Sequence, residues 1–340
     1  MDAFYVSVEL RRRPELRGLP VVVAGTGPRS VVTTASYEAR RFGIGSAMPA
    51  ARARRLCPQA VFLAPDFPYY REASRAVMAI VRAHVEVVEV VGLDEAYLDL
   101  SGLPAPRACL RRVRGEIAAT TGLGCSVGIG PNKLVAKVAS DAEKPGGFVV
   151  LTREDACRRF ADSPCGLIPG IGPRTAERLA GLEIERISQL AAADPAQLAV
   201  RFGARGAAHL IALARFEHGG DVTEERKVIS ESRELTFDRD ISDPDELESV
   251  LGRLVEELCG ALERQRRQGR TIGIKVRLDD FSTHTRARTL TVPVSATGQV
   301  GPVAQELLRR FAAPRPVRLL GVRVAGLEPV QEGRQLALSV

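Results

Sequence analysis

The feature that most constrains this chain is a pair of adjacent carboxylates inside an otherwise apolar stretch. Residues 85–100 (VEVVEVVGLDEAYLDL) have the composition of two β-strands that meet around Gly92, and Asp94 and Glu95 follow that turn. Burying two carboxylates among apolar neighbours costs free energy unless a cation compensates their charge. Such oxygens suit Mg²⁺, which takes one or two carboxylates together with substrate phosphates. The pair therefore predicts a metal site, and an exposed acidic hairpin tip is the alternative.

The charge of the chain favours an anionic partner. Its 340 residues carry a net charge of +7, and nearly all of the basic residues are arginines. Three of the five lysines, Lys133, Lys137 and Lys144, fall within one short segment. The six cysteines include no C-x-x-C pair, which argues against a zinc site. Because no apolar run is long enough to cross a bilayer, we expect a cytoplasmic protein with no membrane partner.

The order of predicted elements divides the chain into regions of different architecture. Up to about Val150, short β-like runs alternate with helical ones, and residues 157–217 form short helices broken by glycines. Residues 218–226 (HGGDVTEER) are polar and contain glycine, which is typical of a linker. Residues 228–324 then follow the order β-α-β-β-α-β of a small two-layer unit with a mixed or antiparallel sheet. The predicted fold class is a multidomain combination of α/β and α+β.

Two segments of the first half carry residues that suit phosphate binding. Tyr37 and Arg40 lie three positions apart at the start of a predicted helix, directly after Thr33 and Thr34. An arginine with neighbouring hydroxyls can bind a triphosphate through charge-assisted hydrogen bonds. The second segment, residues 132–146, places the three clustered lysines on or just after one helix. An ordinary helix start and a solvated helix face are the respective alternatives.

A glycine-containing turn suits contact with a nucleic-acid backbone. Residues 168–173 (IPGIGP) precede an arginine-bearing helix, and Gly170 and Gly172 let backbone N–H groups approach a phosphate. The pattern resembles the helix-hairpin-helix element, which holds DNA without reading bases. Residues 202–206 (FGARG) are a weaker second copy. A plain turn between helices is the alternative.

Basic residues alternate along two predicted strands near the C-terminus. His284, Arg286 and Arg288 form one set and Lys275 and Arg277 the other. Because side chains alternate between the faces of a strand, each set lies on one face of the sheet. A basic face suits a DNA duplex and suits solvent equally well.

These motifs, in this order, resemble those of the Y family of translesion DNA polymerases, and within it the bacterial DNA polymerase IV type. The matching stretches are MDAFYVSVE (1–9), SYEAR (36–40), GLDEAYLDL (92–100), PNKLVAKVASDAEKPGG (131–147), IPGIGPRTAERL (168–179) and SESRELTFDRDI (230–241). The resemblance covers nearly the whole chain and implies a right-hand polymerase. The implied domains are a palm (1–13 and 67–156), fingers (14–66), a helical thumb (157–217), a linker (218–229), a βαββαβ little finger (230–328) and a tail (329–340).

The resemblance also implies roles for individual residues. Asp94 would bridge two Mg²⁺ ions, and Glu95 would help to hold the ion that activates the primer 3′-hydroxyl. Tyr5 would be the steric gate that rejects a ribonucleotide through its 2′-hydroxyl. The residues expected to bind the incoming dNTP are Thr34, Tyr37, Arg40 and Lys144. The implied reaction is low-fidelity, template-directed synthesis by a monomer on primer–template DNA, without proofreading.

The first catalytic motif departs from the family pattern. That motif has two aspartates separated by one residue, and the first is the metal ligand. Asp2 matches the second aspartate, whereas position 1 is Met. We therefore expect that Met1 is an internal methionine and that the natural protein starts several residues upstream of it. The chain as printed should bind metal poorly. The side chain of Asp2 should point away from the metal. The alternatives are a catalytically inactive relative that binds DNA and the sliding clamp, and a nucleotide cyclase, which the IPGIGP turn and the basic C-terminal region disfavour.

The C-terminal residues resemble the peptide by which bacterial polymerases dock on the sliding clamp. Gln335 is followed by apolar residues at alternate positions, Leu336, Leu338 and Val340. An extended peptide of this kind can place alternate side chains in an apolar pocket while the amide binds the rim. The sliding clamp is therefore a predicted partner, and a disordered terminus is the alternative.

Overall fold

The computed structural model of the chain describes residues 1–217, 219–224 and 227–330. These residues form two compact units. The first contains residues 1–26 and the described residues from 30 to 224, and the second contains residues 27–29 and the described residues from 227 onward. Within the described ranges, no helix is both long and apolar enough to cross a membrane.

The first unit begins with a helix and a small three-stranded sheet. In chain order the elements are α1 (Phe4–Arg12), β1 (Val21–Ala24), β2 (Val32–Ala35), α2 (Tyr37–Arg40), α3 (Ala50–Leu56) and β3 (Val61–Leu63). Strand β1 is central, antiparallel to β2 and parallel to β3. All four residues of β1 are buried, as a continuous apolar run favours for a central strand.

Two pairs of short strands and three helices follow in the same unit. They are α4 (Phe67–His84), β4 (Val88–Val90), β5 (Ala96–Leu98), α5 (Pro106–Thr121), β6 (Val127–Ile129), α6 (Lys133–Ala142) and β7 (Phe148–Val150). Strands β4 and β5 form an antiparallel hairpin, which confirms the turn predicted around Gly92. Strands β6 and β7 are parallel and are connected through α6, because a parallel pair needs a crossover.

The rest of the first unit is built from helices, as the sequence predicts for residues 157–217. They are α7 (Arg153–Arg159), α8 (Pro173–Ala180), α9 (Ile187–Ala192) and α10 (Pro195–Ala214). Helix α10 is interrupted at Gly203, whose φ of 72° lies in the left-handed region that glycine tolerates. The glycine in FGARG therefore breaks the helix where the sequence suggests a second turn.

The second unit is a four-stranded sheet with two helices. Its elements are β8 (Ser230–Ile241), α11 (Pro244–Arg264), β9 (Arg267–Leu278), β10 (Thr283–Val294), α12 (Thr297–Phe311) and β11 (Val317–Pro329). The sheet order is β10-β9-β11-β8, and every neighbouring pair is antiparallel. Leu258 of α11 and Val300 of α12 pack with Ile274 and Val322 in one core. The predicted β-α-β-β-α-β order is confirmed, with the antiparallel form of the sheet.

Candidate active site

A cleft of about 690 Å³ lies in the first unit, along β5 and β6. Apolar side chains of α4 and α5, including Met78 and Leu110, line one part of it. The polar lining includes Asp94, Glu95 and Lys144. The cleft therefore brings the paired carboxylates together with a lysine that lies about 50 positions away in the sequence.

Asp94 and Glu95 lie in the turn that joins β4 to β5. The backbone N–H of Val91 donates to the carbonyl of Glu95 over 3.0 Å and closes this turn. Asp94 is half-buried, and burial, followed by the nearby charge of Glu95, raises the pKa of its carboxyl group; the N-terminal ammonium group and Lys144 oppose the shift. Glu95 is exposed and accepts from the Lys137 ammonium group at 2.5 Å.

The two carboxylates fit a divalent ion whose coordination is completed by substrate. Mg²⁺ typically takes one or two carboxylates and draws its other ligands from phosphates and water. Among the described residues, no group of three His, Cys, Asp or Glu side chains could hold a metal. The carboxylate of Asp2 accepts instead from Ser126 Oγ at 2.8 Å and from the N–H of Gly146 at 2.9 Å. Both oxygens of the Asp2 carboxylate are therefore engaged by protein groups.

The three clustered lysines pair with carboxylates. Asn132 caps α6 by accepting from the backbone N–H of Val135. From that helix Lys133 pairs with Glu89, and Lys137 pairs with Glu95. Beyond its end, Lys144 pairs with Asp141 at 2.6 Å.

Helix α6 approaches β6 so closely that only glycine fits at one position. A Cβ atom on Gly128 would collide with the backbone carbonyl of Ala136 and the backbone nitrogen of Ser140. The resulting contact fixes the height of α6 above the strand. It thereby determines where the backbone of α6 places the Lys133 and Lys137 side chains.

Tyr37 and Arg40 are the first and last residues of the short helix α2. Ser36 caps this helix by accepting from the N–H of Ala39, and the Arg40 guanidinium lies 4.7 Å from the centre of the Tyr37 ring. The Tyr37 hydroxyl is buried and has no hydrogen-bond partner among the described residues. Burial raises the pKa of Tyr37, and the charges of Asp2 and Asp141 add to the shift while Arg40 opposes it. Thr34, on β2, is 7% exposed.

Tyr5 projects from α1 into a cluster of three aromatic rings. Its ring centre lies 4.7 Å from that of Tyr70 and 5.9 Å from that of Phe67. Burial raises the pKa of Tyr5, and the charge of Asp94 adds to the shift. Tyr5 and Asp94, 89 positions apart in the sequence, thus belong to one neighbourhood.

A buried network behind Tyr5 has no counterpart in the sequence-based predictions. Glu9 is fully buried, one helical turn beyond Tyr5, and accepts from the Tyr70 hydroxyl at 2.7 Å. Arg12 donates to both of its oxygens, at 2.8 and 3.0 Å, and also pairs with Asp66. The only local signal is the spacing of Glu9 and Arg12, which suits an i,i+3 ion pair. The partner on α4 lies 61 positions away and cannot be read from a local pattern.

The chain matches known proteins over almost its whole length. Residues 1–141 match the impB/mucB/samB family, and residues 226–338 match the C-terminal domain of that family. DNA polymerase IV of Methanoculleus marisnigri is 41% identical over 96% of this chain and 93% of the relative. DNA polymerase IV of Alkalilimnicola ehrlichii is 42% identical over 99% and 97%, respectively.

Solved structures give the same result. A Y-family DNA polymerase chimera of Dbh and Dpo4 has a TM-score of 0.85 at 26% identity, over 96% of this chain and 97% of the chimera. The insertion ternary complex of Dbh DNA polymerase has a TM-score of 0.67 at 26% identity, with the same coverage. The chain belongs to the Y family of DNA polymerases. It is a DNA-directed DNA polymerase of the translesion type, and the fold class that its motifs imply is confirmed.

The turn predicted to hold DNA in this Y-family chain has exposed glycines. Gly170 has a φ of 98°, which only glycine adopts freely, and Gly172 is the residue before α8. Pro173 occupies the first position of that helix, where its missing N–H is no loss. The backbone of this turn is therefore accessible to a phosphate.

The two alternating basic sets of the second unit lie on opposite faces of its sheet. Arg286 is opposite the buried Ile274, and its guanidinium lies 5.3 Å from the ring centre of Phe311 on α12. Arg288 pairs with Glu306 of α12 at 2.7 Å. Lys275 points to the other face, where it pairs with Glu234. Each set shares a face as predicted, but Arg286 and Arg288 lie beside the helix.

The residues predicted to bind the clamp, Gln335, Leu336 and Leu338, lie outside the described residues, as does the rest of the segment 331–340. The predicted linker, 218–229, is described except at positions 218, 225 and 226. Within it, Gly219 to Val222 line the cleft.

Proposed function

We propose that this polymerase joins a deoxynucleotide to a primer 3′-end in the cleft, with Asp94 and Glu95 as the residues that hold Mg²⁺. The supporting observation is that both carboxylates, Lys137 and Lys144 line one cleft. In the reaction the primer 3′-oxygen forms a bond to the α-phosphorus of the dNTP. The bond from that phosphorus to the β-phosphate oxygen breaks, pyrophosphate leaves, and the hydroxyl proton passes to water.

In this proposal Asp94 would hold two metal ions, and Glu95 would help to hold one of them. When bound, Mg²⁺ supplies positive charge that stabilises the attacking and leaving oxygens. The protein supplies adjacent carboxylates on a closed hairpin, which need no rearrangement to face the cleft. Lys137 holds Glu95 in place through their ion pair.

Binding of the triphosphate is the proposed role of Thr34, Tyr37, Arg40 and Lys144. The buried Tyr37 hydroxyl has no hydrogen-bond partner in the part of the chain that the structure describes, and a phosphate oxygen can accept from it. Arg40 stacks on the Tyr37 ring, so its guanidinium is partly ordered before the ligand arrives. Lys144 can exchange Asp141 for a phosphate because both interactions are ion pairs at an accessible site.

Sugar selection is the proposed role of Tyr5. Its ring is supported from behind by Tyr70, which is fully buried, so the ring cannot retreat easily from a bulkier sugar. The charge of Asp94 reaches the Tyr5 phenol, which agrees with a place next to the reacting nucleotide. A ribonucleotide 2′-hydroxyl would then collide with the ring.

DNA binding is proposed for the thumb turn at Gly170 and Gly172 and for Arg286 and Arg288. Exposed backbone N–H groups and guanidinium groups are suited to phosphates and give contact without base recognition. The proposal keeps the palm, fingers, thumb and little-finger boundaries that the motifs imply. It also includes a cytoplasmic monomer that is recruited to the sliding clamp through residues 335–340.

The proposal is tested by neutralising each carboxylate without changing its shape. We expect Asp94→Asn and Glu95→Gln to lower Mg²⁺-dependent extension of a primed template at least roughly 100-fold, since the ions contribute several kcal/mol. Duplex binding should be unchanged. Glu86→Gln, which removes an exposed carboxylate before β4, is the matched control.

The assay is run on the printed chain and on a version with an engineered strand ending in Asp directly before Met1. That strand supplies the carboxylate that the family pattern places there. Near-normal extension by Asp94→Asn or Glu95→Gln would remove the metal assignment. Absence of extension in both backgrounds, with duplex binding retained, would favour the inactive DNA-binding relative.

A further inference from the structure

Asp2 is a buried carboxylate that the proposed metal and nucleotide sites leave without a role. Its residue is 7% exposed, and both side-chain oxygens are engaged, one by Ser126 Oγ at 2.8 Å and one by the N–H of Gly146 at 2.9 Å. Its backbone is held as well, because its N–H donates to the carbonyl of Gly124 and its carbonyl accepts from Ser7 Oγ.

The two partners of the Asp2 carboxylate belong to different parts of the site. Ser126 directly precedes β6, and Gly146 lies two residues after Lys144, in the loop between α6 and β7. The carbonyl of Gly146 accepts in turn from Arg114 at 2.9 Å, so this residue is held through both its N–H and its carbonyl. Asp2 therefore ties the lysine-bearing loop to the N-terminus of the chain.

Charge alone would make Asp2 unfavourable at this place. It lies close enough to Tyr37 for its charge to contribute to the raised pKa of that phenol. A triphosphate bound by Tyr37 and Lys144 would be repelled by a second anion nearby. If Asp2 favours triphosphate binding, it must do so through the geometry that its two hydrogen bonds impose on the loop.

We propose that Asp2 is a positioning residue for triphosphate binding, which holds the Gly146 loop so that Lys144 meets the incoming phosphates. The inference rests on the proposed role of Lys144. It assigns Asp2 no contact with metal or substrate. The second aspartate of the N-terminal motif thereby acquires a function distinct from metal binding.

Asparagine separates geometry from charge at this position. Its carbonyl oxygen can accept from the N–H of Gly146, and its amide can donate to Ser126 Oγ, because a hydroxyl both donates and accepts. Asp2→Asn therefore retains both bonds, whereas Asp2→Ala removes both, and the two variants lose the same charge. Ser126→Ala removes one bond but keeps the link to Gly146.

The experiment measures the Kd of a correct dNTP for the complex of the full chain with a dideoxy-terminated primer–template in Mg²⁺, so no turnover is needed. We expect Asp2→Ala to raise this Kd about tenfold, the size of one lost charge-assisted contact. Asp2→Asn and Ser126→Ala should stay within about twofold of the parent chain, since both keep the bond to Gly146. Thermal melting confirms that each variant is folded, and Asp2→Ser, too short to reach both partners, replaces Asp2→Ala if that variant is not.

A double-mutant cycle supplies the readout that a general loss of stability would not give. If Asp2 acts through Lys144, then Asp2→Ala adds no further loss to Lys144→Ala. Independent, multiplying effects would overturn the inference. The inference would also be overturned if Asp2→Asn bound dNTP as weakly as Asp2→Ala and needed a different Mg²⁺ concentration. The carboxylate would then be a metal ligand.

A different result is expected if Lys144 does not bind the triphosphate. Lys144→Ala would then bind dNTP as tightly as the parent, which removes the role of Lys144 and this inference with it. The metal assignment would be unaffected, because it depends on the extension assays of the Asp94 and Glu95 variants.

Discussion

The Tyr37 hydroxyl is a buried polar group, and burial of such a group without a partner has a measurable cost. Among the described residues nothing accepts from it, although the phenol lies beside Arg40. Removal of an unsatisfied buried group relieves a desolvation penalty of about 1 kcal/mol. We therefore expect Tyr37→Phe to stabilise the free chain by about 1 kcal/mol and to weaken dNTP binding by roughly fivefold.

Tyr70→Phe is the matched control, because the Tyr70 hydroxyl donates to the buried Glu9 carboxylate. That substitution should destabilise the chain by about 2 kcal/mol. Urea unfolding and dNTP titration of both variants provide the measurements. A Tyr37→Phe variant that loses stability and keeps its dNTP affinity would show that the hydroxyl serves the fold and not the ligand.

At the level of single residues, sequence and structure agree where the chemistry is local. Adjacent carboxylates between apolar strands and three lysines on or just after one helix are visible as patterns, and both groups line the cleft. The contacts of Asp2 span 124 and 144 positions, and the bond from Tyr70 to Glu9 spans 61. Such pairs depend on tertiary packing, for which a single sequence carries no periodic signal.

Among the elements, the contact of α6 with β6 depends most directly on one residue. Because Gly128 leaves no space for a Cβ, Gly128→Ala must push α6 away from the strand. We expect a loss of about 3 kcal/mol in the free energy of unfolding. The dNTP Kd should rise because Lys144, which lies just beyond the end of α6, moves with the helix. Gly115→Ala is the control, since that exposed position in α5 has open space and alanine favours a helix by up to about 1 kcal/mol.

Chemical denaturation and dNTP titration of the two glycine variants decide this point. The difference in the free energy of unfolding between the two variants matters more than either value, because both substitutions add one methyl group to the same unit. Equal stability of Gly128→Ala and the parent would mean that α6 tolerates a different height above β6. The lysines would then be positioned by their ion pairs and not by the backbone contact.

The elements that sequence patterns predict well are those with long periodic runs. Strands β8 to β11 have 12 or 13 residues each, and their alternation determines which face meets the helices. Helix α1 was not predicted: its Phe4, Val6 and Val8 alternate as in a strand, yet the segment is helical and buries all three together with Glu9, so tertiary packing overrides the local pattern. For α7 a usable signal existed, the capping box of Thr152 and Asp155.

For the whole molecule, the sequence predicts where the architecture changes better than it predicts short elements. The polar segment at 218–226 precedes a change from a helical region to long strands, and the second compact unit resumes at residue 227. Each unit has its own core, since Leu258 packs with Ile274 in the second and Val81 packs with Val113 in the first. Composition signals such a boundary because a linker buries little apolar surface. The three-residue strands β4 to β7 are stable only within the assembled unit, so their sequences carry little independent signal.

The last prediction concerns recruitment of the whole molecule through residues 335–340. A protein that binds DNA weakly gains local concentration at a primer end when a peptide tethers it to a partner already there. The pattern of Gln335 with Leu336, Leu338 and Val340 suits an extended peptide in an apolar pocket. We expect deletion of residues 335–340 to leave distributive synthesis on naked primed DNA unchanged and to remove its stimulation by the sliding clamp.

The control for this deletion is a variant that keeps the length of the chain but exchanges Gln335 with Ser339, so that composition and charge are constant while the order of the motif is lost. Both variants should show the same low processivity in the presence of the clamp, because the peptide places each side chain by its position along an extended backbone. The measurement is product length on a primed circular template under single-hit conditions, with and without clamp. If the deletion variant were stimulated as strongly as the full chain, the clamp contact would have to lie elsewhere, within residues 1–334.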